Sequence, residues 1–382
     1  MKFVLAPDKY KGSLTGPEFC NAVENGIKKV FPDAEIVKKP LADGGDGTIE
    51  VVKEYLHASS IVVNVKDPLF RDITTQYLLS NDHKTAFIEM SEASGYKLLD
   101  KAEMNCMHTT SLGTGQMIVD AMEKGAQNIV LGIGGSATND GGMGMAAALG
   151  YVFLDADENE LEPIGKHLAD VEKIGMENVH PKLKEIKIQV ACDVNNPFYG
   201  EQGAAKVYAR QKGASEQEID FLDNGLEHFS KVLQTTFGVD VQQIPGAGAA
   251  GGVGGGAVVF LGAELISGVD MIMQLAHFEE VLEGADWVIT GEGQLDGQTS
   301  AGKTINGIIK AAQRKKIPVA AFCGSIDITI EEMQHIGLDY GVSILNQIGT
   351  LEDAKAKSYH NLELASYNFA NLLKVTRTCI EK

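Results

Sequence analysis

Strands and helices alternate at both ends of this chain, and that alternation constrains the fold more than any other feature. Apolar runs of strand length, such as residues 2–6 and 287–290, are each followed after a loop by apolar residues at helical spacing. Residues 15–18 read Thr-Gly-Pro-Glu, which is typical of a helix start with a capping threonine and a glutamate three positions later. Such alternation indicates a parallel sheet with helices on both faces, so the sequence predicts an α/β fold.

A glycine-rich middle segment separates the two alternating ends. The chain holds 43 glycines, and two of their densest clusters lie at 132–150 and 246–256. Clustered glycine is typical of backbone that lies close to a ligand or to other backbone. Because no linker-like stretch marks either border, we predict that the two ends form one domain. It comprises residues 1–90 plus 285–382, and residues 91–284 form an inserted glycine-rich α/β domain.

Charge, cysteine usage and hydropathy exclude several classes of protein. Lys and Arg total 33 and Asp and Glu total 52, a net charge of −19, so neither nucleic acid nor an anionic membrane is an expected partner. An anion-binding site must therefore be local, built from backbone amides, a few cations and bound metal. Five scattered cysteines without a CxxC pair favour the reducing cytoplasm. The sequence holds no run of ~20 apolar residues, so no membrane span is predicted. The sequence does not fix the oligomeric state, and a homo-oligomer stays open.

Two loops near the N-terminus are candidates for ligand binding. The first carries Lys9, Lys11 and Ser13 at a helix N-terminus, where lysines oppose the helix dipole and so do not serve helix stability. They predict an anion clamp, with a solvated turn as the alternative. The second loop opens a helix at Thr48, and its residues suit Mg²⁺ or a substrate hydroxyl, with a capped tight turn as the alternative. Its candidate residues are Asp43, Gly44, Gly45 and Asp46.

The glycines that follow the strand at 128–131 support two functional interpretations. Gly132-Ile133-Gly134, with Asp155 about 23 residues on, matches a dinucleotide fingerprint and would indicate an NAD-dependent dehydrogenase of a small hydroxy acid. Gly141 and Gly142, however, fall where the helix of that motif should already run. We therefore favour a longer phosphate-binding loop that leads into a helix near Met143, with packing glycines as the structural alternative. The candidate phosphate ligands are Gly134, Gly135, Ser136 and Asn139.

Carboxylates follow two further strands. Asp193 ends the strand at 186–190 and suits a general base or a metal ligand, with an Asx-turn as the alternative. Glu292 and Asp296 follow the strand at 287–290 and suit metal binding.

A Walker A pattern occupies residues 297–304 and includes Lys303. In a P-loop the strand runs directly into the first glycine, whereas residues 291–296 intervene in this chain. We therefore interpret the pattern as a chance match, and a P-loop NTPase stays open as a second alternative function beside the dehydrogenase.

Taken together, these segments resemble the type I glycerate kinases. The resemblance covers nearly the whole chain in order, which is more specific than any single motif. The chain departs from the common family pattern at Lys9, Asp46 and Gln294, where Ser, Glu and Arg are common. The matching segments are Ala6-Pro7-Asp8 with residues 11–14, Ala42-Asp43-Gly44-Gly45, Gly134-Gly135-Ser136-Ala137 with Asn139-Asp140-Gly141-Gly142, Ala191-Cys192-Asp193-Val194 and Thr290-Gly291-Glu292-Gly293.

The resemblance implies a discontinuous Rossmann-like domain with an inserted second domain and a site in the cleft between them. It also implies an ATP-dependent kinase that uses Mg²⁺ and phosphorylates D-glycerate, usually to 2-phosphoglycerate. On the substrate side we expect Asp193, or else Asp43, to accept the hydroxyl proton. The residues expected to hold the glycerate carboxylate and the transferred group are Lys11, Ser13, Gly44 and Gly45.

On the nucleotide side we expect the loop from Gly134 to Ser136, with Asn139, to hold the ATP phosphates. Glu292, with Asp296 or Asp46, is expected to hold Mg²⁺. Phosphoryl transfer depends on positioning and charge neutralisation more than on covalent chemistry, so amides, cations and carboxylates at these places suit it.

Overall fold

The computed structural model describes residues 1–8, 10, 12–42, 48–296 and 302–380. Its strands are β1 (Lys2–Leu5), β2 (Glu35–Lys38), β3 (Ser59–Lys66), β4 (Asp72–Leu79), β5 (Thr85–Glu89), β6 (Asn128–Gly132), β7 (Val152–Leu154), β8 (Lys173–Gly175), β9 (Lys187–Ala191), β10 (Glu264–Ile266), β11 (Trp287–Thr290), β12 (Gln294–Asp296), β13 (Val319–Cys323), β14 (Ser325–Asp327) and β15 (Tyr340–Ser343). Its helices are α1 (Gly16–Lys28), α2 (Thr48–Tyr55), α3 (Ser91–Ser94), α4 (Leu112–Glu123), α5 (Met143–Ala148), α6 (Ala204–Tyr208), α7 (Glu216–Phe237), α8 (Val253–Leu261), α9 (Gly268–Leu275), α10 (Phe278–Val281), α11 (Gly302–Arg314), α12 (Ile330–Ile336) and α13 (Leu351–Ile380). None of the helices in these ranges is both long and apolar enough to cross a bilayer.

The chain divides into two compact units. Unit 1 comprises Met1–Val51 with Gly268–Lys382, and unit 2 comprises Val52–Ser267. These borders differ from the expected ones at residues 90 and 285. The reason is strand pairing: β5 lies parallel to β6, and β3 and β4 extend the same sheet, so all three strands belong to unit 2.

Unit 1 is built on a five-stranded sheet in the order β15-β13-β11-β1-β2. Every neighbouring pair in it is parallel, as the alternation of strands and helices predicts. The strand order reverses between β1 and β11, because the chain moves outward to β2 on one side and to β13 and β15 on the other. Ligands of open parallel sheets bind beyond the carboxyl ends of the strands at such a point.

Helix α1 begins as its sequence predicts. The Glu18 amide donates to Thr15 Oγ1, and the Thr15 amide donates to the Glu18 carboxylate at 2.8 Å, so the capping box is complete. Gly26 lets α1 lie directly against α13, since a Cβ there would come within 2.4 Å of the Glu363 carbonyl oxygen. The apolar side chains that α1 buries in the unit 1 core include Phe19, Val23 and Ile27.

Unit 2 is built on a six-stranded sheet in the order β10-β9-β6-β5-β4-β3. β3 and β4 are antiparallel, whereas β5, β6, β9 and β10 are parallel, so the carboxyl ends of these four strands share one edge. The residues that lie in register across this edge are Glu89, Gly132, Ala191 and Ile266.

Several glycines of the two dense clusters serve close packing of backbone against backbone. The Gly141 amide donates to the Gly251 carbonyl at 3.0 Å, and a Cβ on Gly256 would come within 2.3 Å of the Gly141 carbonyl oxygen. Gly251 has a φ of +72°, and a Cβ there would lie 2.1 Å from the Thr138 carbonyl oxygen. The packing interpretation is therefore correct for Gly141, although, as described below, it does not extend to Gly134.

Candidate functional site

A cavity of about 560 Å³ opens at the carboxyl edge of the unit 1 sheet. Residues that follow β1, β11, β13 and β15 line it, together with the first turns of α13, so it lies where the strand order reverses. Its volume falls in the range of small-molecule sites. We call it the unit 1 cavity, and its polar lining includes Asp8, Tyr10, Ser13, Glu292, Asp296, Lys355, Lys357, Ser358 and Asn361.

Three carboxylates beyond the strand ends line the unit 1 cavity. Asp8 accepts a hydrogen bond from Thr304 Oγ1 at 2.7 Å, and Glu292 is 4 % exposed. Asp296 ends β12, and its Oδ1 is buried with no hydrogen-bond partner among the described residues. Buried carboxylate oxygens are stabilised by a cation or a donor, so this wall of the cavity favours a positively charged ligand.

The charge of Glu292 acts on two buried neighbours. Burial raises the pKa of Tyr10 well above its usual value, and the electrostatic effects of Cys323 and Glu292 raise it further. The Tyr10 hydroxyl donates a hydrogen bond to the Phe322 carbonyl. Burial, with Glu292 adding to it, raises the pKa of the Cys323 thiol to about 12. Both groups are therefore neutral at physiological pH, and neither adds a second charge beside the Glu292 carboxylate.

The expected metal ligands lie partly in this cavity. Glu292 and Asp296 both line it and supply the oxygen donors that Mg²⁺ prefers. Asp46 lies outside the described residues. Within the described ranges, no three His, Cys, Asp or Glu side chains converge to hold a metal. The pair fits a magnesium ion that takes its other ligands from water and phosphate, which is the usual way in which Mg²⁺ binds.

Of the expected substrate ligands, only Ser13 is described; Lys11, Asp43, Gly44 and Gly45 lie outside the described residues. Ser13 Oγ donates at 2.7 Å to Ser358 Oγ, which donates at 2.7 Å to the Lys355 carbonyl oxygen. This chain of hydrogen bonds fixes the loop after β1 against α13. On α13, Lys355, Ser358 and Asn361 form a polar wall of the cavity at a spacing of three residues.

In unit 2, β6 leads into the expected phosphate loop, residues 133–142, and α5 begins at Met143 as predicted. We call this segment the Gly134 loop. Gly134 and Gly135 are exposed, and within the described part of the chain neither amide donates a hydrogen bond. A Cβ on Gly134 would meet nothing within 4 Å, and its φ lies outside the left-handed region. Packing and backbone conformation therefore do not require a glycine at 134, whereas the close approach of an anion to these amides would.

The Gly134 loop is held in place along its edge. The Tyr96 amide donates to the Gly135 carbonyl at 3.0 Å, and the Ala137 amide donates to the Ser94 carbonyl at 2.9 Å. These two bonds form a short antiparallel bridge to the segment that follows β5. The bridge fixes the loop while leaving the amides of Gly134 and Gly135 exposed.

Two buried residues support the Gly134 loop from beneath. The Lys212 ammonium donates to Ser136 Oγ and to the Thr138 carbonyl oxygen, at 2.7 Å each. Lys212 does not stand out in the sequence, because its polar neighbours give it the pattern of an ordinary surface lysine. Asn139 is 0 % exposed, and neither atom of its side-chain amide has a hydrogen-bond partner among the described residues. Its side chain therefore lies below the loop, away from the surface that Gly134 exposes.

Asp193 leaves the same edge of the unit 2 sheet. Gly132 and Ala191 are paired in register, and Gly134 and Asp193 each follow two residues later on adjacent parallel strands. Asp193 is exposed at this position. The structure thus brings the expected phosphate loop and the expected base to one edge, as the carboxyl ends of parallel strands require.

Sequence analysis also missed a second carboxylate at this edge, Glu89, the last residue of β5. A Cβ on Gly132 would lie 2.6 Å from Glu89 Oε2, so the Glu89 carboxyl extends across the glycine of the neighbouring strand. Burial, followed by the charge of Glu92, raises the pKa of Glu89 to about 7. A carboxyl that titrates near neutral pH at the carboxyl edge of a parallel sheet is typical of a functional site.

Known proteins are similar to this chain over nearly its whole length. A model of the glycerate kinase family matches residues 3–374. The chain belongs to the glycerate kinase family. It is 44 % identical to a glycerate kinase of Halalkalibacterium halodurans, over 96 % of this chain and 97 % of that protein. It is 43 % identical to the glycerate 2-kinase of Escherichia coli K12, over 98 % of both chains.

A solved structure is also similar to this glycerate kinase family member. The crystal structure of a protein from Salmonella typhimurium LT2, assigned as a glycerate kinase 2, superposes with a TM-score of 0.86 at 40 % identity, and the match covers 99 % of each chain. The expected α/β class and the resemblance stated from the sequence are thereby confirmed. The family is one of kinases, which confirms ATP as the expected phosphoryl donor.

The dehydrogenase interpretation is wrong. Asp155, its acidic residue, follows β7, which pairs antiparallel with β8 in a separate two-stranded sheet. The Asp155 carboxylate accepts hydrogen bonds from the Asp157 and Asn159 amides and so caps a turn. In a dinucleotide site this residue would end the next parallel strand of the same sheet.

The Walker A match in this glycerate kinase also lies in the wrong context for a P-loop. β11 ends at Thr290 and α11 begins at Gly302, and β12 intervenes, paired with β14 in a two-stranded sheet. A P-loop joins a strand of the main sheet directly to its helix. Residues 297–301 of the pattern lie outside the described residues.

Proposed function

We propose that this member of the glycerate kinase family transfers the γ-phosphoryl group of ATP to a hydroxyl of D-glycerate, and that the product is 2-phosphoglycerate. The observation that carries the proposal is the likeness, over 98 % of both chains, to a relative named glycerate 2-kinase. The unit 1 cavity and the Gly134 loop support it, because both lie beyond the carboxyl ends of parallel strands.

The Gly134 loop is the proposed site for the ATP phosphates. Its exposed amides at Gly134 and Gly135 donate no hydrogen bonds within the described chain, and they suit phosphate oxygens. Ser136 is held by Lys212, which places a positive charge beneath the loop. Asn139 lies below the surface, so its proposed part is to shape the loop from within.

Glu292 and Asp296 are the proposed protein ligands of Mg²⁺, with Asp46 as a further candidate. The support is their position in one cavity and the buried Oδ1 of Asp296. When bound, Mg²⁺ would neutralise charge on the phosphoryl oxygens. Lys11, Ser13 and the backbone at Gly44 and Gly45 are the proposed ligands of the glycerate carboxylate and the transferred group; of these, Ser13 lines the unit 1 cavity.

Asp193 is the proposed acceptor of the glycerate hydroxyl proton, with Asp43 as the alternative. A general base needs to reach the hydroxyl as the phosphorus–oxygen bond forms. The exposure of Asp193 at the carboxyl end of β9 supports this role, since its carboxylate is accessible to a ligand at that edge.

The proposal is tested by incubating the purified protein with ATP, Mg²⁺ and D-glycerate and following the products by proton-coupled ³¹P NMR. A new monoester signal split into a doublet is expected, because the phosphorus of 2-phosphoglycerate couples to a single proton on the adjacent carbon. A triplet would show phosphorylation of the terminal hydroxyl and overturn the proposed product. L-Glycerate serves as the stereochemical control. Intact ATP with D-glycerate would mean a different acceptor, and signal without Mg²⁺ after treatment with EDTA would overturn the metal assignment.

We also place the protein in the cytoplasm. Cys20, Cys106, Cys192 and Cys323 form no disulfide, which is typical of a reducing compartment. Fractionation of the producing cells should recover the protein with cytoplasmic markers, and recovery with secreted proteins would contradict this placement.

A further inference from the structure

Lys212 is a buried lysine whose ammonium, among the described residues, donates hydrogen bonds to neutral oxygens only. It is 5 % exposed, and its two hydrogen bonds go to Ser136 Oγ and the Thr138 carbonyl. Charged side chains are almost never fully buried unless they are paired. A methionine would fill a similar volume without the cost of desolvating a charge. Packing alone therefore does not explain why a charged residue occupies this position.

The backbone around Lys212 fixes its position. The residue ends a short 3₁₀ turn, Arg210–Lys212, and its carbonyl accepts a hydrogen bond from the Cys106 amide at 3.1 Å. Gly213 follows with a φ of +92°, and a Cβ there would lie 1.8 Å from the Met104 carbonyl oxygen. The turn is packed against residues 104–106, which fixes the Lys212 backbone, and the buried side chain places its ammonium beneath the Gly134 loop.

Two titratable side chains, those of Cys106 and Asp140, lie next to Lys212. Burial raises the pKa of the Cys106 thiol to about 11, so the thiol stays neutral at physiological pH. The Asp140 carboxylate is already engaged, since it accepts hydrogen bonds from Ser111 and from the amides of Gly142 and Gly144. Burial lowers the pKa of Lys212 to about 8, although both neighbours oppose the shift. An anion bound above the loop would add the stabilisation that the ammonium lacks.

We propose that Lys212 is a positioning residue for nucleotide binding: it holds Ser136 and the Thr138 carbonyl so that the exposed amides of Gly134 and Gly135 face the phosphates, and its charge adds to their field. This inference rests on the proposed assignment of the Gly134 loop to ATP. Lys212 acts through Ser136 and does not itself touch the nucleotide.

The test compares Lys212→Met with Lys206→Met. Lys206 lies on α6, pairs with Asp220 and is partly exposed, so it is a matched control for the loss of one positive charge. Lys212→Met is expected to raise the KM for ATP by ~10- to 100-fold, the range for a charge-assisted hydrogen bond, while the KM for D-glycerate changes less than ~2-fold. Lys206→Met is expected to change neither value by more than ~2-fold.

A pH series gives a readout that a purely structural role would not produce. In the wild-type protein, the Kd for ATP is expected to rise between pH 7 and pH 9.5, because the ammonium loses its proton as the pH passes about 8. In Lys212→Met this step should be absent. An unchanged KM for ATP, or the same pH step in both proteins, would overturn the proposal. So would a lower unfolding temperature with both KM values unchanged.

Two controls keep the outcomes separate. If the KM for D-glycerate rises and that for ATP does not, the loop binds the acid, so the proposal fails together with the assignment of the loop to ATP, while the proposed kinase activity stands. If Lys212→Met does not fold, the wild-type pH series and Ser136→Ala decide. A Kd for ATP that stays flat from pH 7 to 9.5, or that is unchanged by Ser136→Ala, would overturn the proposal. If the wild-type protein forms no phosphoglycerate from ATP and D-glycerate, the proposed function fails, and this result is distinct from the outcomes above.

Discussion

The unit 1 cavity and the Gly134 loop of unit 2 both lie beyond the carboxyl ends of parallel strands, but they offer opposite electrostatic environments. The cavity is a volume enclosed by loops and α13, with carboxylates in its wall. The loop is a stretch of backbone that exposes amides and is supported by a buried ammonium. The position of a site follows from topology, whereas the charge of its ligand follows from the residues that the strand ends carry.

The largest expected effect comes from the packed underside of the Gly134 loop. Gly251→Ala would need a φ of +72° and would place a Cβ 2.1 Å from the Thr138 carbonyl oxygen. We expect the free energy of unfolding to fall by ~3–5 kcal/mol, measured by urea denaturation. Gly238→Ala is the control, since it has a similar φ of +73° but no atom within 4 Å of its Cβ, and should cost only ~1 kcal/mol. Equal losses would show that the loop is not rigidly packed.

The next effect tests the acidic wall of the unit 1 cavity. Glu292→Gln removes a buried charge from the proposed Mg²⁺ site, and we expect kcat/KM to fall by ~10²- to 10³-fold with a higher Mg²⁺ concentration at half-maximal activity. Asp353→Asn is the matched control, because Asp353 lines the same cavity but is exposed and caps α13 with Thr350. An unchanged Mg²⁺ dependence in Glu292→Gln would mean that the cavity does not hold the metal.

A somewhat smaller effect tests the carboxylate beside the Gly134 loop. If Asp193 is the base, Asp193→Asn should lower kcat by ~10²-fold or more with only a modest change in either KM. Asn195→Ala, exposed on the same loop, should leave kcat within ~2-fold. Retention of kcat by Asp193→Asn would exclude the role and leave Glu89 and Asp43 as the carboxylates to test.

Gly134→Ala contrasts the open face of the loop with its packed underside. The new methyl group meets no atom of the described residues within 4 Å, so the free energy of unfolding should stay the same or rise by up to ~1 kcal/mol. The methyl group would instead occupy the space proposed for phosphate, and we expect the KM for ATP to rise by ~10-fold, measured by steady-state kinetics. A normal KM for ATP would place the phosphates elsewhere.

The smallest expected effect concerns Glu89 and pH. Because its folded pKa of about 7 exceeds the ordinary value of 4.5, the unfolded chain loses its proton first, and the protein loses stability as pH rises between these values. Glu89→Gln removes that loss, so its stability relative to wild type should improve by ~1 kcal/mol from pH 6 to pH 7. Thermal unfolding at the two pH values measures this difference. A constant difference would mean that Glu89 is not buried against Gly132.

Much of the fold follows from local pattern. The capping box at Thr15, the helix that begins at Met143 and the parallel strands of unit 1 all follow from the residues that form them. The partners of β3 to β5 do not, because strand pairing is a long-range property and their apolar pattern suits either sheet. The borders of the two compact units differ from the expected domain borders for that reason.

The site was only partly predictable for a related reason. The position of Asp193 beyond β9 and the exposed glycines at 134 and 135 follow from strand ends and turn residues. Lys212 is 76 residues from Ser136 in the chain, and its role depends on a contact that no local pattern encodes. In the sequence Glu89 has the pattern of the last residue of an apolar strand. Its position at the site depends on Gly132, which the structure places beside it. Glycine clusters are likewise ambiguous in sequence, because Gly134 and Gly141 differ in the atoms around them and in backbone conformation, which only the structure shows.

The pairing of β1 with β11 has a consequence for biosynthesis. The Thr290 hydroxyl donates to the Ala6 carbonyl across 284 residues of sequence, and all of unit 2 lies between them. Protein synthesis adds ~5–20 residues per second, so the edge of β1 that pairs with β11 stays unpaired for roughly 15–60 s before β11 is synthesised. Unit 2 can complete its sheet during that interval. The first strand to be synthesised therefore belongs to the last sheet to close, and its unpaired edge is open to misassembly during that interval.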